Sequence, residues 1–246
     1  MKLSRNIHAI IAVGLLSAVL FACDKEMKLS LPVETDLSGK ALVKVYNATL
    51  NATRNYVYFD KAPVTGAGLA YGGLFPSVSF YSAINAGSRT VDIKDTLLTT
   101  TQKALTFTST FDAGSHYTIF TYDTLTNTKH LVVKDNIQVP TDTTARIRFA
   151  NLIYSRVAVP NVDIYSAKRQ ANIFTNVATA AVTDFIPYAS DVSDTLFVRA
   201  TGTAINLTQL NSILPREKRS YTVVFRGVYQ LTSGTNTRAL VNFTNY

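Results

Sequence analysis

The sequence predicts an all-β chain of two tandem immunoglobulin-like β-sandwich domains, and three observations carry that expectation. Thr, Val, Tyr and Phe are abundant while Met occurs only twice, a composition that favours pleated, half-buried surfaces over helices. Short strand-like runs are separated by turn signals such as Gly66-Ala67-Gly68, Asn85-Ala86-Gly87, Asp112-Ala113-Gly114 and Ser233-Gly234-Thr235-Asn236. The chain also repeats itself at a spacing of about 104 residues.

The elements follow in order. Lys2 and Arg5 precede an apolar run from Ala9 to Phe21, and small Ala22 stands before Cys23, the only cysteine. The arrangement is that of a secretory signal with a cleavage site, and Leu20-Phe21-Ala22-Cys23 resembles a bacterial lipobox. Residues 1–22 are read as a lipoprotein signal peptide. Cys23 has no partner for a disulfide and is the expected lipidation site. Two or three acyl chains, at about 0.8 kcal/mol per buried methylene, would hold the protein on a membrane permanently. The apolar run is too short for the about 20 residues that span a bilayer. Asp24, Lys25 and Glu26 resemble an inner-membrane retention signal in enteric-type sorting and an outer-face display signal in another Gram-negative group, with a solvated tether as the plain alternative; the outer membrane, on its periplasmic or its surface-exposed face, is the expectation.

Residues 23–40 read as the lipidated cysteine and a flexible tether. The first sandwich is expected over 41–135, with strands near 41–46, 56–60, 77–81, 90–94, 104–108, 116–122 and 129–134. Residues 136–144, with Pro140, form a linker, and the second sandwich occupies 145–246. The repeat aligns Ala41–Tyr46 with Ala145–Ala150, Asn55–Phe59 with Asn161–Tyr165, and Thr90–Lys94 with Thr195–Arg199. It continues with Tyr117–Phe120 against Tyr221–Val224 and Leu131-Val132 against Leu240-Val241. Seven short strands in about 100 residues fit a sandwich; one large barrel is the alternative. Tyr117 and Tyr221 open the sixth strand of each copy, where a tyrosine either bonds back to a loop or simply fills the core.

These residues resemble the bacterial family of domain of unknown function 4397, most clearly in the second copy. There the pattern is Ala145-Arg146-Ile147-Arg148-Phe149-Ala150-Asn151, Pro160-Asn161-Val162-Asp163-Ile164-Tyr165 and Tyr221-Thr222-Val223-Val224-Phe225. In the first copy Val57 stands where the aspartate belongs. The resemblance implies a small envelope β-sandwich and carries no chemistry with it.

Removal of residues 1–22 takes two of the 24 basic residues and none of the 16 acidic ones, leaving a net charge of +6. The basic residues are scattered, so no nucleic-acid partner is expected. Once the leader is cleaved only His116 and His130 remain as imidazoles, and neither is repeated in the second copy. No nucleophile elbow, calcium loop or phosphate loop is present. No catalytic residue, metal or cofactor is expected. Tyr71 and Phe75, in a Gly-rich connection, are the possible ligand contacts, set against core packing as the alternative. Asp95-Thr96-Leu97, Asp123-Thr124-Leu125, Asp142-Thr143-Thr144 and Asp194-Thr195-Leu196 resemble an O-glycosylation pattern.

The functional expectation is a non-enzymatic envelope lipoprotein, held in the membrane by its N-terminal lipid and presenting its domains for binding at the outer membrane or cell surface. A glycan-binding accessory lipoprotein of a nutrient-uptake system is the alternative, with an envelope glycan or a protein as partner. An enzyme acting on polysaccharide ranks third and would need two facing carboxylates.

Overall fold

The computed structural model describes residues 36–246, so the expected signal peptide, Cys23 and most of the tether lie outside the described residues. The described chain is all-β. Nine strands come from the first copy: β1 (Lys40–Asn47), β2 (Tyr56–Phe59), β3 (Ala62–Pro63), β4 (Leu74–Phe75), β5 (Ser82–Asn85), β6 (Gly87–Lys94), β7 (Leu105–Phe111), β8 (His116–Tyr122) and β9 (Lys129–Asp135). Nine come from the second: β10 (Ala145–Asn151), β11 (Val162–Ser166), β12 (Ala171–Val177), β13 (Ala181–Val182), β14 (Ile186–Tyr188), β15 (Asp194–Ala200), β16 (Asn206–Ile213), β17 (Ser220–Arg226) and β18 (Ala239–Thr244). Among the described residues no helix is long and apolar enough to cross a membrane.

Each copy folds into a sandwich of two sheets. The first has sheets β4-β1-β8-β9 and β3-β2-β6-β7; the second has β13-β10-β17-β18 and β12-β11-β15-β16, the same order in both. The registers repeat as well. Val43 stands opposite Tyr117 across the parallel β1–β8 pair, and Ile147 opposite Tyr221 across β10–β17. That recurrence is the duplication read in three dimensions.

Alternation of side chains explains the packing. Val43, Val45, Val57, Val91, Ile93 and Ile119 fill the first core, and Ile147, Phe149, Ile164, Leu196, Val198 and Val223 the second. On β1, β8, β10 and β17 most of the residues on the opposite face are buried as well. Tyr46, Ala48 and Phe120 pack with Ala150, Leu152, Val224 and Phe243 in a third core that joins the two sandwiches. β1, β8, β10 and β17 are therefore covered on both faces, and residues 36–246 form one compact unit.

Beyond the strand count, nine per copy against the expected seven, two sequence expectations change. No strand forms over 77–81; the edge is split into β4 and β5, both paired with β1. The reason is Lys44, which is fully buried on β1. Its Nζ donates to the carbonyls of Val78 (2.7 Å), Phe80 (2.8 Å) and Pro76 (3.3 Å), so these acceptors cannot serve a ladder. The second correction concerns Val57. Tyr56 faces Lys94 across β2–β6 as Asp163 faces Arg199 across β11–β15, so Tyr56 holds the place of the aspartate. Val57 is instead the counterpart of buried Ile164. Tyr117 and Tyr221 prove to be loop anchors, their hydroxyls accepting the backbone N–H of Asp112 and Arg216 at 2.9 Å, five residues upstream in both copies.

Candidate functional site

Most buried polar groups in the described residues are spent on holding the fold. Arg148, the counterpart of Lys44, donates to Asp135 Oδ1 at 2.6 Å, to Thr222 Oγ1 at 2.8 Å and to Thr118 Oγ1 at 3.0 Å. The pair is excluded from water, with side-chain exposures of 2% and 0%. Tyr81 OH donates to Asp135 Oδ2 at 2.7 Å and accepts from Asn245 Nδ2 at 3.1 Å, so one network ties both sandwiches together. Burial pushes Lys44 down to about 8, partly opposed by the negative charge of Asp135. Asp163 accepts from Asn176 N, Thr201 Oγ1 and Asn172 Nδ2 at 2.7–3.0 Å, closing a bend. Asp194 accepts from Tyr188, Ser166 and the Lys168 N–H.

The histidines are likewise occupied. His130 stacks on Phe107 with ring centroids 3.6 Å apart, and His116 meets Tyr81 edge-on at 4.8 Å. Burial lowers the pKa of each, for His116 against the charge of Asp135. Among the described residues no three His, Cys, Asp or Glu side chains gather as a metal site. The aspartates of the Asp-Thr segments act as turn caps: Asp95 accepts from Leu97 N, Asp123 from Thr124 N and Asp142 from Thr144 N.

One place departs from this economy. Six buried side-chain polar atoms among the described residues lack a hydrogen-bond partner, and four of them belong to one trio: Tyr46 OH, Tyr71 OH, and Nε and Nη1 of Arg226. Unpaired buried groups are costly, so their concentration marks a site. Tyr46 is brought there by β1 and Arg226 by the end of β17. The guanidinium lies over the Tyr71 ring, 4.2 Å from its centroid. Gly72, at φ 84°, lets the connection run against it; a Cβ there would stand 2.9 Å from Nη1. The following residue, Gly227, has φ 103°, and a side chain on it would run into the Thr237 carbonyl. Burial raises both phenols, Tyr46 to about 12, against the pull of the Arg226 guanidinium beside them.

Two of the trio, Tyr46 and Arg226, border a cleft of about 510 Å³ between the 76–81 connection and β18. Tyr46 and Arg226 line it together with Ser77, Ser79, Asn242 and Thr244, and no acidic side chain does. A second cleft, about 560 Å³, opens at another part of the junction, where Leu50, Tyr154, Val157, Val228 and Leu231 make a more apolar wall. Of the two residues singled out from sequence, Tyr71 supports the Arg226 guanidinium. Phe75 faces Val45 across β4–β1 and packs on the first core. Arg226 and Tyr46 were missed; at the spacing of the repeat Arg226 corresponds to Tyr122, and that asymmetry was the available signal.

Among solved structures, the chain is similar to the crystal structure of CBMbc (family CBM26) from Eubacterium rectale Amy13K in complex with maltoheptaose. The identity is 9%, the TM-score 0.26, and the match covers 83% of this chain and 97% of that one. No curated protein matches. A family model matches residues 41–159, which is the whole first sandwich and the start of the second; the Pro160–Tyr165 and Tyr221–Phe225 segments fall outside it. That match supports placing the chain in the family described as "Domain of unknown function (DUF4397)".

Proposed function

We propose that this protein is a non-enzymatic envelope lipoprotein, anchored through an acylated Cys23 at the outer membrane, whose joined sandwiches serve as a binding surface. The observation that carries the binding reading is the contrast just described. Catalysis needs polar groups poised on a reacting centre, whereas here the buried acids, Lys44, Arg148 and both histidines are engaged in contacts that hold the fold. Most of the buried polar atoms outside those contacts belong to Tyr46, Tyr71 and Arg226, beside a cleft that Tyr46 and Arg226 line. The anchor rests on the order of charged, apolar and small residues before Cys23.

A second reading, a glycan-binding accessory lipoprotein of an uptake system, is favoured by the hydroxyl and amide groups on the cleft walls. Metabolic labelling with a radioactive fatty acid tests the anchor: the wild-type protein takes up label in the membrane fraction, and Cys23→Ser abolishes both. Label retained by Cys23→Ser would remove the lipoprotein assignment. Protease treatment of intact cells then decides which face is occupied. Turnover of a polysaccharide by the purified protein, lost on a single substitution, would refute the non-enzymatic reading.

A further inference from the structure

We infer that β7, an open edge strand of the first sandwich, pairs with β7 of a second copy of this chain, antiparallel and centred on Thr108, so that two copies share one continuous sheet. Such pairing goes beyond the binding reading above and does not depend on it.

A strand at a sheet edge leaves alternate N–H and C=O groups facing outward, ready to pair with another chain, and folds ordinarily guard such strands. The duplicated fold displays the guards one by one. β16, the counterpart of β7, is broken by two register shifts, and Arg238 Nε donates to its Leu207 carbonyl at 2.9 Å. β12 is shifted at two points as well. β9 carries exposed Lys129 and Lys134, and β18 runs along the cleft against the 76–81 connection with Phe243 in the third core. The other edge pieces, β3, β4, β5, β13 and β14, are two to four residues long. β7 has none of these devices. Its seven residues, Leu105–Phe111, include no charge and no proline, and they pair with β6 from Leu105 opposite Ile93 to Phe111 opposite Gly87 without a shift. Among the described residues only β6 bonds the β7 backbone.

The strand itself selects a second copy as its occupant. Thr106, Thr108 and Thr110 are exposed on the outer face, while Leu105 and Phe107 on the other face pack on the first core and stay half-buried. A two-fold axis at Thr108 sets Thr106 against Thr110 and Leu105 against Phe111. The threonine row then continues a threonine row and the core face continues a core face, as the period of two requires. Facing threonines are favourable cross-strand pairs. Beyond the strand, the same axis carries exposed Lys103 of each copy beside exposed Asp112 of the other, so opposite charges meet at both ends of the pairing.

Disulfide trapping in cells expressing the full chain tests this, with copper-phenanthroline as the oxidant. The axis brings the two Thr108 Cα atoms to about 4.5–5.5 Å, the spacing of directly opposed residues and within disulfide reach. Thr108→Cys is therefore expected to give a band of doubled mass on a non-reducing gel, above the baseline of the wild type, whose single cysteine is Cys23. Gln209→Cys, an exposed position on the guarded edge β16, should give at least tenfold less. Two further variants of the Thr108→Cys chain read the register. Thr106→Lys with Thr110→Lys opposes like charges across the axis and should cut the doubled band at least tenfold; Thr106→Lys with Thr110→Glu opposes unlike charges and should restore it. Both pairs change exposed side chains only, and equal thermal melting by circular dichroism confirms that each variant is folded. The absence of a doubled band with Thr108→Cys, or a band as strong with Gln209→Cys, would overturn the pairing. A Lys/Glu variant as weak as the Lys/Lys one would overturn the register, and a band joining the chain to a different polypeptide would overturn the second copy as occupant.

Discussion

At the residue scale, two buried cations at equivalent places do different work. Lys44 and Arg148 both project from the central strand of their sandwich into the junction, but Lys44 is held by carbonyls and Arg148 by a carboxylate. Removing one partner of the Arg148–Asp135 pair strands a charge in a dry core. Arg148→Met and Asp135→Asn should therefore each destabilise the protein by about 3–5 kcal/mol in urea denaturation, and the double variant by less than the sum. Losses below 1 kcal/mol would mean that water reaches the pair. Lys44 makes a prediction about pH. Its folded pKa, about 8, lies below the ordinary 10.5, so the unfolded chain binds more protons between those values. Stability contributed by this position rises as pH increases from about 8 to 10.5 and is constant below. Several buried tyrosines, Tyr81 and Tyr188 among them, have raised values that act the other way above pH 10. The measurement is thus the difference between wild type and Lys44→Met: the stability of wild type relative to the variant should rise across pH 8–10. An unchanged difference would show that the ammonium is as comfortable in the fold as in water.

At the element scale, the tyrosines opening β8 and β17 fasten each sheet to the turn before it. Tyr117→Phe or Tyr221→Phe leaves the backbone N–H of Asp112 or Arg216 without its acceptor, and each should cost about 1–3 kcal/mol. Water can replace the acceptor at the exposed Arg216 turn more easily, so Tyr117→Phe should be the more damaging. Equal, negligible losses would reduce both to core fillers. How legible these elements were follows from the same physics. Alternating runs such as Thr90–Lys94 and Tyr117–Phe120 announce strands because period and composition agree. The run at 77–81 also alternates, yet Lys44, 32 to 36 residues away, takes its carbonyls, a tertiary contact no local pattern displays. The place of Val57 has a related cause: identity along a short motif sets it against Asp163, whereas ladder register decides equivalence and sets it against Ile164. The site was half visible. Tyr71 lies in a Gly-rich connection that drew attention, but Arg226 joins it from 155 positions along the chain and only the fold brings the two together.

At the scale of the whole molecule, two sandwiches with a short connection would ordinarily behave as neighbours with separate stabilities. Sequence alone points that way, because Lys44, Thr118, Arg148 and Thr222 interrupt the apolar runs of β1, β8, β10 and β17 like residues of a wet face. They are dry instead: Thr118, Arg148 and Thr222 are satisfied by one another and by Asp135 and Asn245, Lys44 by the carbonyls of Pro76, Val78 and Phe80, and the apolar residues beside them form the third core. Unfolding either sandwich would expose Tyr46 and Phe120 or Val224 and Phe243, and would break the Arg148–Asp135 pair at the same time. Neither half can melt without charging that cost to the other, so coupling should exceed what a tethered pair shows. Differential scanning calorimetry is expected to give a single transition, with calorimetric and van't Hoff enthalpies equal. Phe120→Ala, placed in the shared core, should lower that one transition by an amount corresponding to about 3–5 kcal/mol without splitting it. Two resolved transitions in the wild type, with only one moved by Phe120→Ala, would mean that the sandwiches are independent and the third core is incidental contact.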